Sequence, residues 1–71
     1  MRRGAVQSSS LRSVGYDRAS KTLEVEFVEG GRIYRYAGVP GSEYRRLMDA
    51  ESHGRYFTTY IRGHYPYIKV A

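Results

Sequence analysis

From Leu11 onward the chain alternates with period two, Val14 and Tyr16 sharing one face, with Arg12 and Ser13 less decided. Asp17-Arg18-Ala19-Ser20-Lys21 is turn chemistry, because Asp and Ser side chains bond nearby backbone groups. Leu23, Val25 and Phe27 then alternate with Thr22, Glu24 and Glu26, which predicts a strand buried on one face. Gly30-Gly31 predicts a tight hairpin, since glycine tolerates the positive φ of the primed turns, and a third strand runs from Arg32 to Tyr36.

A two-residue turn at Gly30-Gly31 implies a register. Glu29 then faces Arg32, Val28 faces Ile33, Phe27 faces Tyr34, Glu26 faces Arg35 and Val25 faces Tyr36. Opposite charges meet twice, and aromatic or β-branched residues meet on the other rows. Carried back to the first strand, the same logic sets Val14 beside Val25 and Tyr16 beside Leu23. One face reads Val14, Tyr16, Leu23, Val25, Phe27, Tyr34 and Tyr36, a core face. The other reads Ser13, Glu24, Glu26, Ile33 and Arg35, a solvated one. A slip by one residue would exchange them, so the register is strongly specified.

The period changes after Val39-Pro40-Gly41-Ser42, where Pro40 sets the turn and Ser42 is the expected N-cap. Tyr44, Leu47 and Met48 follow at helical spacing, and Gly54 is the expected left-handed cap that ends this helix. Tyr56, Phe57, Tyr60 and Ile61 form the apolar stripe of a second short helix, stopped by Gly63. Tyr65 to Val70 is extended, and Pro66 restricts it to a sheet edge or a docked tail. The expected fold is α+β: a three-stranded antiparallel meander, covered on its aromatic face by two short helices, with an extended C-terminal segment. Its expected core holds Leu23, Val25, Phe27, Tyr34, Tyr36, Leu47, Phe57 and Ile61. Residues 1–9 read as a basic flexible tail and 10–71 as one domain.

Composition narrows the class. A chain of 71 residues has a thin core, and without cysteine it has no disulfide to brace it. Two His and seven carboxylates offer no metal spacing, so no metal or cofactor is expected. Aromatic residues at 14% argue against disorder. No apolar run approaches the roughly 18 residues of a membrane span, and Met1-Arg2-Arg3 leads into no apolar signal core. The expectation is a soluble, cytoplasmic protein without a membrane partner, a monomer or weak homodimer. A net charge of +5 points to anionic partners, nucleic acid first, although a G+C-rich genome also favours Arg over Lys.

Candidate chemistry is sparse. Ser8-Ser9-Ser10 has no base nearby in sequence, and no phosphate loop or paired acid set is present. His53 and His64 lie beside Gly54 and Gly63 at helix ends, where loose carbonyls and the dipole account for both. No catalytic residue is expected. Arg and Tyr together suit nucleic acid, guanidinium for phosphate and rings for unpaired bases. The strand Arg32-Ile33-Tyr34-Arg35-Tyr36 combines them, but its tyrosines belong to the core face and its arginines meet Glu29 and Glu26. That leaves Arg62, Tyr65, Tyr67 and Lys69 near the end of the chain, with Arg45 and Arg46 on the exposed side of the first helix, as candidate binding residues.

Several segments together resemble the KTSC domain, a short module found at the C-terminus of some lysyl-tRNA synthetases. They are Ser9-Ser10-Leu11-Arg12-Ser13-Val14-Gly15-Tyr16-Asp17, Leu23-Glu24-Val25-Glu26-Phe27 with Gly30-Gly31, and Tyr34-Arg35-Tyr36-Ala37-Gly38-Val39-Pro40. Ser52-His53-Gly54-Arg55-Tyr56-Phe57 and Ile61-Arg62-Gly63-His64-Tyr65-Pro66-Tyr67 complete the likeness, which runs from about Val6 onward. The resemblance implies a small domain for which RNA binding has been suggested from the synthetase fusions. The expected function is therefore a non-enzymatic binding module for RNA or another nucleic acid. The alternative is a protein-interaction module using the solvated sheet face or a free sheet edge at Leu11–Asp17.

Overall fold

Three expected strands become five. The computed structural model describes residues 1–71 and contains one antiparallel sheet in the order β1-β2-β3-β4-β5. The strands are β1 (Gly4–Ala5), β2 (Leu11–Asp17), β3 (Thr22–Phe27), β4 (Ile33–Tyr36) and β5 (Tyr67–Lys69). Between β4 and β5 run α1 (Gly41–Asp49) and α2 (His53–Tyr56), the latter continuing as a π-helical turn, Phe57–Ile61. The α+β class and the two helices agree with expectation, whereas the three-stranded sheet does not.

Both extra strands come from the ends of the chain. The segment read as a flexible tail supplies β1, with Gly4 opposite Val14 and Ala5 opposite Ser13, and Val6 N–H donates to Arg12 O at 3.2 Å. β1 therefore occupies the edge of β2 that was expected to be free for a partner. The C-terminal segment does take an edge, as Pro66 requires, but as a paired strand beside β4.

The faces of the sheet are as expected although the hairpin register is not. Val25 stands opposite Tyr34 and Leu23 opposite Tyr36, so β4 is displaced by two positions from the two-residue-turn register. The connection is a four-residue loop, Val28 to Gly31, closed by Phe27 N–H on Arg32 O at 2.9 Å, with Gly30 and Gly31 both at positive φ. Val28 leaves the hairpin because its N–H bonds Ser10 O, just ahead of β2, at 2.9 Å. A displacement of two preserves the side-chain period, so the same residues stay inside.

Leu11 and Val14 are both buried although they lie three apart, a spacing that a regular strand sends to opposite faces. A bulge between Leu11 and Ser13 reconciles them by inserting Arg12 as an extra residue. Leu11 and Val39 thus join the expected Val14, Leu23, Val25, Tyr36, Leu47, Phe57 and Ile61 in one buried cluster, with Phe27 and Tyr34 only partly enclosed. Tyr16 closes one end, stacked on Tyr44 at 4.6 Å and donating its hydroxyl to Val39 O at 2.6 Å.

The opposite face is not the open surface that was expected. Glu24 is 3% exposed there, clasped by Arg3 and by Arg35 Nε at 2.6 Å. Ser13, also buried, accepts from Arg3 Nε at 2.9 Å and donates to Glu26 at 2.8 Å. Gly15 makes room for this arrangement, since a Cβ there would come within 3.0 Å of Arg3 Cγ and collide with Arg2 O. The charge pairings expected across the hairpin, Glu26 with Arg35 and Glu29 with Arg32, are replaced by this one buried carboxylate with two guanidiniums.

The helix boundaries also differ. α1 starts at Gly41 with Pro40 as its cap residue and no side-chain cap bond, so Ser42 lies in its first turn. It ends at Ala50 in extended conformation, and Gly54 lies inside α2. Gly54 is required there by close approach: a Cβ would run into Ser10 of β2's leading segment. Ser52 caps α2, accepting from Arg55 N at 3.2 Å, and His53 Nδ1–H donates to Leu47 O at 2.8 Å across the two helices.

Candidate nucleic-acid interface

Tyr34 and Tyr36 alternate on β4 and so project to the helix-covered face, while Tyr67 reaches the same face from β5, opposite Tyr36. The Tyr67 ring lies 5.3 Å from Tyr34 and 5.5 Å from Tyr36, tilted against both. Phe57, from the π turn, meets Tyr36 edge-on at 5.3 Å and Phe27 at 5.4 Å. These rings form one wall of an open cleft of about 740 Å³ between sheet, hairpin loop and α2.

Two guanidiniums stand at its margin. Arg62 leaves the helix through a turn in which Gly63 has φ +81° and His64 N–H bonds Ile61 O at 3.0 Å, the geometry of a type II turn. Arg32 folds over the hairpin loop, its Nε 3.5 Å from where a Cβ on Gly30 would sit. Burial raises the Tyr36 phenol above its usual pKa, and the nearby Arg62 charge only partly offsets this. Tyr36 therefore keeps its hydroxyl proton and remains a donor within the cleft. Glu29 is the one carboxylate in the lining.

Of the expected binding residues, the cleft brings Arg62 and Tyr67 together. Lys69 sits two positions beyond Tyr67 on the same face of β5, opposite Tyr34. Tyr65 stands apart, half-buried against the core with its hydroxyl donating to Glu43 Oε2 at 3.0 Å. Tyr56 donates to the other oxygen of the same carboxylate, so Glu43 ties α1 to α2 and to the segment entering β5. Arg45 and Arg46 are exposed on α1, outside the cleft, while Tyr60 leaves the expected core stripe and is 54% exposed beside Tyr56. Arg32 and Tyr34 of the cleft were set aside by the sequence reading, Arg32 as a partner of Glu29 and Tyr34 as a core-face ring; Tyr34 does pack edge-on against Phe27 at 5.6 Å, yet stays partly exposed in the cleft lining. The surplus of tyrosine over what a small core encloses was the one available signal.

The KTSC domain family matches residues 7–65 of the chain. The chain belongs to the KTSC domain family. A crystal structure of a KTSC domain protein from Yersinia pestis superposes with a TM-score of 0.94 at 38% identity, covering 99% of this chain and 97% of that one. An uncharacterised protein of Stutzerimonas stutzeri is 46% identical over 71 residues, 99% of both chains. The lysine–tRNA ligase of a Nostoc species is 34% identical over 61 residues, where 86% of this chain spans 11% of the ligase. A KTSC domain thus occurs both by itself and as a small part of a much longer enzyme. No helix here is long and apolar enough to cross a membrane.

Proposed function

We propose that this KTSC domain is a binding module for single-stranded nucleic acid, RNA foremost, which enters the cleft between β4, β5 and α2. The observation that carries the reading is the convergence of Tyr67, 58% exposed, and the half-buried Tyr34 with the rim guanidiniums of Arg62 and Arg32. Rings present a face on which an unpaired base stacks, and the cations meet the phosphates on either side. Lys69 extends the positive rim along β5. The ligase relatives supply the direction toward RNA, because their substrate is a tRNA by name. Arg45 and Arg46, on another part of the surface, contribute through the long-range field alone.

A salt titration with single-stranded RNA tests the reading. Three phosphate contacts give a slope of log K against log salt of about −2, and Arg62→Gln flattens it by about 0.7. Tyr67→Ala removes a stacking ring without opening the core, and the expected loss is about 5- to 150-fold at constant salt. Arg45→Gln with Arg46→Gln is expected to alter affinity far less than Arg62→Gln. No binding at about 50 mM salt, or equal binding by the Tyr67 variant, contradicts the proposal.

A further inference from the structure

β5 ends the sheet, and its free edge is self-complementary. Ala37 N–H donates to Pro66 O at 2.9 Å and Val70 N–H to Ile33 O at 2.8 Å, so even-numbered residues bond toward β4. Bonding direction alternates along an antiparallel strand, which within β5 aims the N–H and C=O of Tyr67 and Lys69 away from the sheet, while Ala71 beyond it closes back on Ile33. Proline commonly blunts such an edge, but the missing N–H of Pro66 lies on the β4 side and leaves the outer side open. The same edge exposes apolar surface: Ile68 is 61% exposed, and Val70 is exposed too.

We propose that β5 pairs antiparallel with β5 of a second copy of this chain, about a two-fold axis through Ile68. That register sets Tyr67 opposite Lys69 of the second copy, and Lys69 opposite its Tyr67. Each is a pair whose outward N–H and C=O groups bond one another, giving four backbone hydrogen bonds around a central Ile68–Ile68 contact. Each ammonium lies beside a tyrosine ring, and no like charges meet. A two-fold axis through Lys69 would instead press ammonium against ammonium, so the side chains select the Ile68 register. The contact involves three residues per copy, far less than the roughly 1,600 Å² of a standard interface, so the dimer is weak and concentration-dependent. This pairing stands independently of what the cleft binds. Because Tyr67 faces the cleft, pairing also sets two clefts side by side across the axis.

Sedimentation equilibrium of the full chain from about 10 to 500 μM tests it, the apparent mass rising from 8.2 kDa toward twice that value. Amide exchange adds a local signature. Tyr67 and Lys69 amides gain protection at high concentration, whereas Val70, already bonded to β4, does not change. Ile68→Arg sets like charges across the axis, and Lys69→Pro removes an outward N–H; both are expected to hold the mass at 8.2 kDa with Val70 still protected. Should one variant unfold, the other decides. A mass of 8.2 kDa at every concentration, or association unchanged in a folded variant, overturns the proposal.

Discussion

Gly54 and Glu43 each join elements that are distant in sequence, and each makes a distinct energetic expectation. Gly54 lets α2 approach the Ser8-Ser9-Ser10 segment, where Ser8 Oγ accepts from Ser10 N and Leu11 N at 3.2 Å and so shapes the start of β2. Gly54→Ala forces a shift at Ser10, and the expected loss is about 1–3 kcal/mol in denaturant unfolding. Ser10→Gly in the same chain is expected to recover a large part of it, a coupling that a simple helix-propensity effect would not produce. Glu43 accepts from two phenols. Burial, then the Glu43 hydrogen bond and charge, push Tyr56 up from 10.0 to about 12, and the same causes raise Tyr65. A raised folded pKa stabilises below the unfolded value, so this contribution is whole below pH 10 and fades as pH climbs toward about 12. Phenolate absorbance is expected to show Tyr36, Tyr56 and Tyr65 ionising above the ordinary tyrosine value of about 10. Ionisation of Tyr56 and Tyr65 at that ordinary value would count against the Glu43 clasp.

Elements whose signal is local were legible in the sequence. Strand β3 follows from alternation, the helix stripes from Leu47, Phe57 and Ile61, and the stop after Ile61 from Gly63. Features decided by distant partners were not. The bulge at Arg12 leaves no mark on composition, and the hairpin loop depends on Val28 bonding Ser10, which leads into β2. β1 is hardest to foresee, because Gly4-Ala5 has no strand propensity and is held by Arg3 on Glu24. Burial alone would raise the Glu24 pKa, but Arg35 and Arg3 outweigh it and hold the carboxyl below its ordinary 4.5. A depressed folded pKa stabilises above the unfolded value, so this contribution is lost as pH falls below about 4.5. Arg3→Ala leaves Arg35 as the sole partner, with an expected loss of about 1–3 kcal/mol at neutral pH. It should also abolish protection of the Val6 amide, which bonds β2 only while β1 is docked.

At the scale of the molecule, the net charge of +5 favours the proposed anionic partner without locating its site. The fold spends Arg3 and Arg35 on Glu24 and leaves Arg32 and Arg62 at an aromatic cleft, which is where the proposal places the site. Half of that site was legible: Arg62 and Tyr67 sit in a basic, aromatic terminal segment. Arg32 reads in the sequence as a partner of Glu29, Tyr34 as a core-face ring and Tyr65 as a spare ring, whereas Tyr34 is only partly enclosed and Glu43 holds Tyr65. A two-dimensional NMR titration with single-stranded RNA at low salt addresses the central claim most directly. The expected result is concentration-dependent shifts in the Tyr34, Tyr36 and Tyr67 rings and in the Arg32 and Arg62 side chains, with Arg45 and Arg46 nearly unmoved. Shifts centred on Arg45 and Arg46, or none anywhere, would contradict it.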